Sequence, residues 1–362
     1  VLRPAAPHPA TGDGPAARLI DQNCFGQKIP APADQPRHFS RRAKKGEQAN
    51  MTINISVIGL GPWGQTLANK VSALPDFTLK STFDHHDGRK MPQAEAAPSL
   101  EAILDDASIH ACVITTPNHT HADFARAALD AGKNVLVAKP LAVTSAACDG
   151  VTALARAKGL VAMTGHTTLF NPGILLVKKL VAESERPILH FDARRRGIGR
   201  IQKNSVLLDL AVHDIANAIF LSGQHPVSAR HAQRAYGACP AAQAQMFMRF
   251  DGGMSGHVES SWIASDRRRT ATVTLDGRII ELDELSATVS VYETSSLARV
   301  AADNFTAAKT AEYKIDSHDA LADELATFAR FIRDGGFPEE NGRIARSVVH
   351  AIEISQDMSA YS

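Results

Sequence analysis

The residues of this chain best suited to moving a proton are Asp209 and His213, four positions apart in an apolar-periodic stretch, Val206 to Leu221, that Gly223 ends. Four residues make about one helical turn, so the carboxyl and the imidazole share a face with Cβ atoms roughly 5–6 Å apart. Such a pair can take the proton of a hydroxyl and give it back, which oxidation of a secondary alcohol requires. The spacing suits a surface ion pair equally well, or a buried histidine satisfied by a carboxylate, and the two residues alone do not choose. Asp214, the next residue, lies about 100° further round a helix and reads as supporting structure.

Alcohol oxidation also needs a hydride acceptor, and a loop able to hold one comes earlier. The β-branched run Ile53 to Ile58 meets Gly59, Gly61 and Gly64 in G-x-G-x-x-G spacing, and an apolar-periodic segment runs from Trp63 to Leu74. A second strand-like run, Phe77 to Phe83, stops at Asp84, twenty positions beyond Gly64. The first glycine permits the tight turn, the second lets backbone approach a pyrophosphate, and the third lets the helix pack close to the strand. The helix N-terminus then faces the phosphates with its positive end. Asp84 is where a carboxylate accepting the ribose 2′-hydroxyl belongs, which favours NAD over NADP. His85, His86 and Arg89 just beyond it work in the opposite direction.

These residues need a scaffold. Strand patterns at Ile109–Thr116, Asn134–Ala138 and Leu160–Thr164 alternate with helix patterns at Leu100–Asp105, Ala122–Leu129 and from Thr144 to about Lys158. That rhythm predicts a doubly wound parallel sheet with ligands at the carboxyl ends of its strands. Those ends carry Thr115-Thr116-Pro117-Asn118, Lys139-Pro140 and Gly165-His166, a set able to hold a nicotinamide and a hydroxylated substrate. From about Pro187 short strands dominate, with Asp251-Gly252-Gly253 and Asp276-Gly277 as hairpin turns, and helices return after Ser317.

The predicted fold class is therefore α/β: an N-terminal Rossmann domain over 51–170, then an α+β domain over 171–362 with a large open antiparallel sheet, its last helices packing back on the first. Residues 1–50 differ: seven of the chain's 18 prolines fall there with no sustained periodicity, which suggests a disordered or non-native leader. A net charge of +1 leaves no electrostatic footprint for nucleic acid or an anionic membrane. Four scattered cysteines without a C-x-x-C pair read as reduced thiols of a cytoplasmic protein, and no metal-ligand spacing is found.

The ordered motifs GLGPWG (Gly59 to Gly64), TTPNHTHADFARAALDAGKNVLVAKPLAVT (Thr115 to Thr144) and LLDLAVHDI (Leu207 to Ile215) resemble the Gfo/Idh/MocA family of NAD(P)-dependent oxidoreductases. The C-terminal run Asp319 to Gly336 is similar to that family's late helix. Ala138 departs from it, since the family usually has glutamate before this Lys-Pro. The resemblance implies that His213 is the general base, that Lys139 hydrogen-bonds the reacting oxygen, and that Asp209 orients the hydroxyl or His213. It also implies a cis bond before Pro140. Pro62, Trp63, Thr115, Thr116, Pro117, Asn118, His121 and Lys139 join Gly59, Gly61, Gly64 and Asp84 as expected cofactor contacts.

GHTTLFNPGI, Gly165 to Ile174, is similar to the branch around UDP-N-acetylglucosamine 3-dehydrogenase, although Leu169 stands where that branch has arginine. It adds His166 and Asn171 to Lys139, Asp209 and His213 as expected substrate contacts. Of the three arginines Arg194 to Arg196, which cannot all face one way in an extended segment, Arg196 is expected to reach the substrate. Arg267 to Arg269 read as a solvated strand entry. The expected function is NAD-dependent oxidation of a secondary hydroxyl of a sugar, a UDP-linked amino sugar first, to a keto-sugar. A myo-inositol or free-sugar dehydrogenase is the alternative substrate class, and a non-catalytic NAD- and sugar-sensing regulator the alternative role. The resemblance also implies that such an open sheet pairs subunits, so a homodimer or homotetramer is expected.

Overall fold

The computed structural model describes residues 52–86, 88–198, 201, 204–295 and 305–358; the expected leader lies outside them. The first sheet comprises β1 (Ile53–Ile58), β2 (Phe77–Phe83), β3 (Glu95–Ala96), β4 (Ala111–Ile114), β5 (Asn134–Ala138) and β6 (Ala162–Gly165). Its order is β3-β2-β1-β4-β5-β6 and every pairing is parallel. The order reverses between β1 and β4, which opens the crevice where a doubly wound sheet binds its ligand. Helices α1 (Pro62–Ala73), α2 (Leu100–Asp105), α3 (His121–Asp130) and α4 (Ser145–Lys158) cover the faces. With both faces covered, β4 is buried at all four positions and its sequence is an unbroken apolar run. Helix ends follow local chemistry: Ser99 and Thr144 cap α2 and α4 by accepting from Ala102 N and Ala147 N, and Gly159, at φ +65°, stops α4.

The link to the second sheet is α5 (Pro172–Ser184), an apolar helix capped by Asn171 that the sequence reading did not single out. The strands of that sheet are β7 (Ile188–Ile198), β8 (Pro226–Tyr236), β9 (Cys239–Phe250), β10 (Ser255–Ser261), β11 (Ile263–Leu275), β12 (Arg278–Asp283), β13 (Thr288–Thr294), β14 (Ala307–Lys314) and β15 (Ser355–Asp357). They run in the order β14-β13-β12-β11-β7-β10-β9-β8-β15. Most pairs are antiparallel, as expected, but β7 with β10 and β8 with β15 are parallel, so the sheet is mixed. Alternation sorts its faces. On β9, Met246, Met248 and Phe250 point into the core while Phe247 and Arg249 are exposed.

Helix α6 (Val212–Ser222) packs on the inner face, α8 (Glu339–Glu353) packs on α6 and on β8, and α7 (Ala320–Asp334) packs on the 3-10 turn Thr167–Phe170 and on α1. Ala345 and Val349 of α8 join the apolar core of the first sheet, beside Val151 of α4 and Ala162 of β6. The last helix therefore ties the two sheets together. The segment expected as one α-helix over Val206–Leu221 comes in two parts, a π-helical stretch at Leu207–Ala211 and then α6. Gly223, at φ +69°, ends it as expected. Among the described residues no helix is long and apolar enough to cross a membrane.

Candidate active site

At the nucleotide crevice the glycines do what their spacing requires. Gly59 takes φ +96°, and a Cβ there would lie 2.8 Å from the Thr115 carbonyl carbon. A Cβ on Gly64 would strike the Gly59 carbonyl oxygen at 2.0 Å, so only glycine lets α1 start this close to β1. Gly61 has nothing within 4 Å of its Cβ position. It caps α1 without a side-chain hydrogen bond, leaving helix N–H groups free for an anion. Pro62 and Trp63 are exposed beside it. The loop therefore has the open backbone approach and unfilled donors that a dinucleotide pyrophosphate needs.

Thr115 and Asp84 brace this loop. The Thr115 hydroxyl donates to Gly59 O at 2.6 Å. Asp84 accepts from Leu60 N at 2.6 Å and His86 N at 2.9 Å, with Arg89 at 3.5 Å. Burial alone would raise its pKa, but the amides of His86 and Leu60 and the Arg89 charge outweigh burial and keep the carboxyl below its usual range. Its side chain is only 3% exposed, so the carboxylate is turned toward the glycine loop with limited room left for a ribose hydroxyl. Arg89 lies half in solvent against it, a cation beside the expected 2′-position.

Two further expected cofactor contacts serve as fasteners. His121 is 1% exposed, with Nδ1 2.7 Å from Pro140 O and Nε2 2.8 Å from Thr116 O. It bolts the Thr116 turn to the Lys139-Pro140 turn and does not line the crevice. Asn118 reaches from its 3-10 turn to Leu208 O at 3.5 Å, joining the crevice to the π-helical stretch. Thr116 accepts from Thr120 at 2.8 Å, and Pro117 is exposed at the rim.

The residues expected to handle the proton come together from separate parts of the chain. Lys139, past the end of β5 with a cis bond to Pro140, donates from Nζ to Asp209 Oδ1 at 2.7 Å and to the Asp209 carbonyl oxygen at 2.6 Å. Strand end and helix start are thus fastened by one ammonium, with Asp209 holding Lys139 rather than standing free on the helix. His213 follows on α6, half-buried. Burial first, then the charges of Lys139 and Arg195, keep its pKa well below the ordinary value, so the imidazole is neutral and able to accept a proton.

His166, expected at the substrate, lies fully buried past the end of β6, with neither ring nitrogen hydrogen-bonded in the protein. Burial and the Lys139 charge push its pKa down to about 3. It underlies the site rather than facing a ligand. Asn171 spends its side-chain oxygen on capping α5, accepting from Gly173 N at 2.7 Å, which leaves only its amide nitrogen for a ligand.

Strand register sorts the arginines. Arg194 and Arg196 are on the outer face of β7, where Arg196 sits 3.2 Å from Glu259 and 3.4 Å from Asp266. The structure therefore does not bring Arg196 to His213. Arg195 points the other way. It grips Asp214 of α6 with contacts of 2.8 and 3.1 Å and Glu284 at 2.9 Å. Asp214 is thus the anchor of the helix that carries His213, the supporting part its position suggested.

Glu324 of α7 was not anticipated. It is 1% exposed and approaches Gly165, where a Cβ would lie 3.4 Å from Glu324 Oε1; Oε2 has no hydrogen-bond partner. Burial pushes its pKa up to about 8 against the opposing Thr167 hydroxyl. No pattern in the sequence marks it, because its burial comes from α7 packing on the 3-10 turn Thr167–Phe170.

Comparison with known proteins gives the family. Residues 53–166 match the model of the GFO/IDH/MocA oxidoreductase family's NAD-binding Rossmann fold, and residues 182–280 match that family's C-terminal domain. The chain belongs to the Gfo/Idh/MocA family. Among relatives, UDP-N-acetylglucosamine 3-dehydrogenase of Acidithiobacillus ferrooxidans is 27% identical over 251 residues, covering 66% of this chain and 77% of that enzyme. Inositol 2-dehydrogenase 2 of Saccharopolyspora erythraea is 35% identical over 195 residues, 49% of this chain and 56% of that one. A solved structure of the Acidithiobacillus enzyme matches with a TM-score of 0.71 at 25% identity, covering 84% of this chain and 97% of that one. As a Gfo/Idh/MocA member the chain is an oxidoreductase acting on CH–OH groups, with an NAD(P)-binding Rossmann domain.

Proposed function

We propose that this Gfo/Idh/MocA member oxidises a secondary hydroxyl of a sugar to a ketone with NAD as the acceptor, and that a UDP-linked amino sugar is its substrate. The observation that carries the reading is the double contact of Lys139 Nζ with Asp209, which draws the end of β5 to the helix bearing His213. A nicotinamide dinucleotide bound along the glycine loop would supply the hydride acceptor for the carbinol C–H. A neutral His213 nitrogen takes the hydroxyl proton as the C–H pair departs. Lys139 spends two of its three N–H protons on Asp209, and the third is free to donate to the oxygen becoming a carbonyl. Asp209 keeps that ammonium aimed, and Arg195 with Asp214 keeps α6 in place.

Loop geometry supports a dinucleotide of either kind, and the choice of NAD rests on Asp84. The likeness to inositol 2-dehydrogenase 2 favours a second reading, a cyclitol or free-sugar substrate. We further propose that the outer face of the nine-stranded sheet pairs subunits into a homodimer or homotetramer. Its exposed Val227, Tyr236 and Phe247 support that reading.

Following NADH absorbance with NAD or NADP and a panel of UDP-sugars, free sugars and inositols tests the proposal. Reduction driven by UDP-N-acetylhexosamines is the expected result. Reduction by inositols alone would overturn the substrate, and cofactor binding without reduction by any panel member would overturn the dehydrogenase.

A further inference from the structure

Arg269 stands directly opposite Arg195 in the antiparallel pairing of β11 with β7. Residues facing each other across such a pair project from the same side of the sheet. Arg195 projects toward α6, where it grips Asp214, so Arg269 projects toward the helix that carries His213. The two arginines differ in their partners. Arg195 is buried and holds two carboxylates, Asp214 and Glu284. Arg269 is exposed, and among the described residues no carboxylate lies within ion-pair distance of it. Arg268, one position away on the other face, is matched by Asp266 at 2.6 Å and stands opposite Arg196.

Electrostatics point the same way. The Arg269 charge contributes to lowering the pKa of His213, so its guanidinium lies within electrostatic reach of the imidazole. Partial burial and the positive charges of Arg195 and Arg267 work against its own protonated form, and Glu284 and Asp214 only partly offset them. This corner of the inner face thus holds an excess of positive charge that the protein does not neutralise itself. A guanidinium fork suits a phosphate or carboxylate, and Arg267 adds a second cation beside it.

We propose that Arg269, assisted by Arg267, is the anion-recognition point of the substrate site and takes the phosphate or carboxylate oxygens of a charged sugar derivative. This deepens the dehydrogenase reading and rests on it for the position of the sugar ring. Oxyanion recognition would separate nucleotide sugars and sugar acids from neutral cyclitols, because a neutral substrate leaves the guanidinium without a partner.

The test is calorimetric titration of the full chain, saturated with NADH, using UDP, UDP-N-acetylglucosamine, glucuronate and myo-inositol as probes. Arg269→Gln is expected to bind the recognised anion about 10- to 100-fold more weakly than the wild type, the loss typical of one charge-assisted contact. Arg269→Lys should fall between them, while Arg268→Gln binds as the wild type and myo-inositol titrates identically throughout. A loss confined to UDP and its sugar identifies phosphate, and a loss confined to glucuronate identifies carboxylate. Equal binding of every anionic probe by wild type and Arg269→Gln would overturn the inference, as would no binding of any of them by the wild type. Should Arg269→Gln fail to fold, the same comparison between wild type and Arg269→Lys decides. Arg269-dependent binding with no NADH formed from any sugar and NAD would leave the anion site standing and remove the dehydrogenase.

Discussion

Replacing Glu324 by glutamine should change how stability depends on pH, in a direction the buried carboxyl dictates. In the unfolded chain this group titrates near 4.5, and in the fold burial raises it to about 8. Below the lower value both states hold the proton, and the fold keeps its full stability. Between the two values the folded chain retains a proton that the unfolded chain has released, so stability falls as pH rises, by about 1.4 kcal/mol per unit. Near pH 8 the accumulated loss is about 4 kcal/mol, after which both states are ionised and the decline levels off. Glutamine fills nearly the same volume without the charge, so Glu324→Gln should lack this decline and exceed the wild type in alkali. Histidines buried neutral, His166 above all, produce an acid-side loss below about pH 6.5, and it cancels in the comparison of the two proteins. Urea-denaturation midpoints across pH 5 to 8.5 give the measurement. Parallel curves for the two proteins would show that Glu324 ionises freely in the fold and would refute the reasoning.

Three further outcomes follow from named contacts. Gly64→Ala drives a methyl to 2.0 Å from the Gly59 carbonyl, so α1 must shift; NAD affinity should collapse in a fluorescence titration and the melting temperature should fall, with overpacking costing about 1–3 kcal/mol. Arg195→Met strips the counter-charge from buried Asp214 and from Glu284, with an expected destabilisation of about 3–5 kcal/mol in denaturant. Losing that positive charge also lets the His213 pKa rise, moving the acid limb of kcat/KM to higher pH. Arg89→Ala removes the cation beside Asp84, so the ratio of kcat/KM for NAD over NADP should rise several-fold in steady-state assays.

The parallel sheet was legible because its signals are local. Glycine spacing, apolar runs such as Ala111–Ile114, and caps at Ser99, Thr144 and Gly159 lie within a few residues of one another. The Lys139, Asp209 and His213 grouping was legible only by joining distant motifs through a family likeness, since 70 residues separate the first two. What escaped reading depends on tertiary partners. The π-helical turn at Leu207–Ala211 has an apolar spacing that five residues cannot distinguish from an α-helix. Which arginine of Arg194 to Arg196 faces α6 depends on the register of β7 against β10 and β11, and the chosen Arg196 proved to be on the outer face. His121 was expected in the crevice from the family likeness and His166 from its place after a strand, yet depth of burial, which no local pattern encodes, made one a fastener and the other a floor.

The most direct measurement compares Lys139→Ala and His213→Ala with the wild type, recording NAD affinity by titration and kcat with the sugar that supports reduction. Unchanged NAD binding with kcat lowered by about 10²- to 10⁴-fold in each variant is the expected result. Turnover at the wild-type rate in both would contradict the assignment of proton transfer and carbonyl stabilisation to these two side chains.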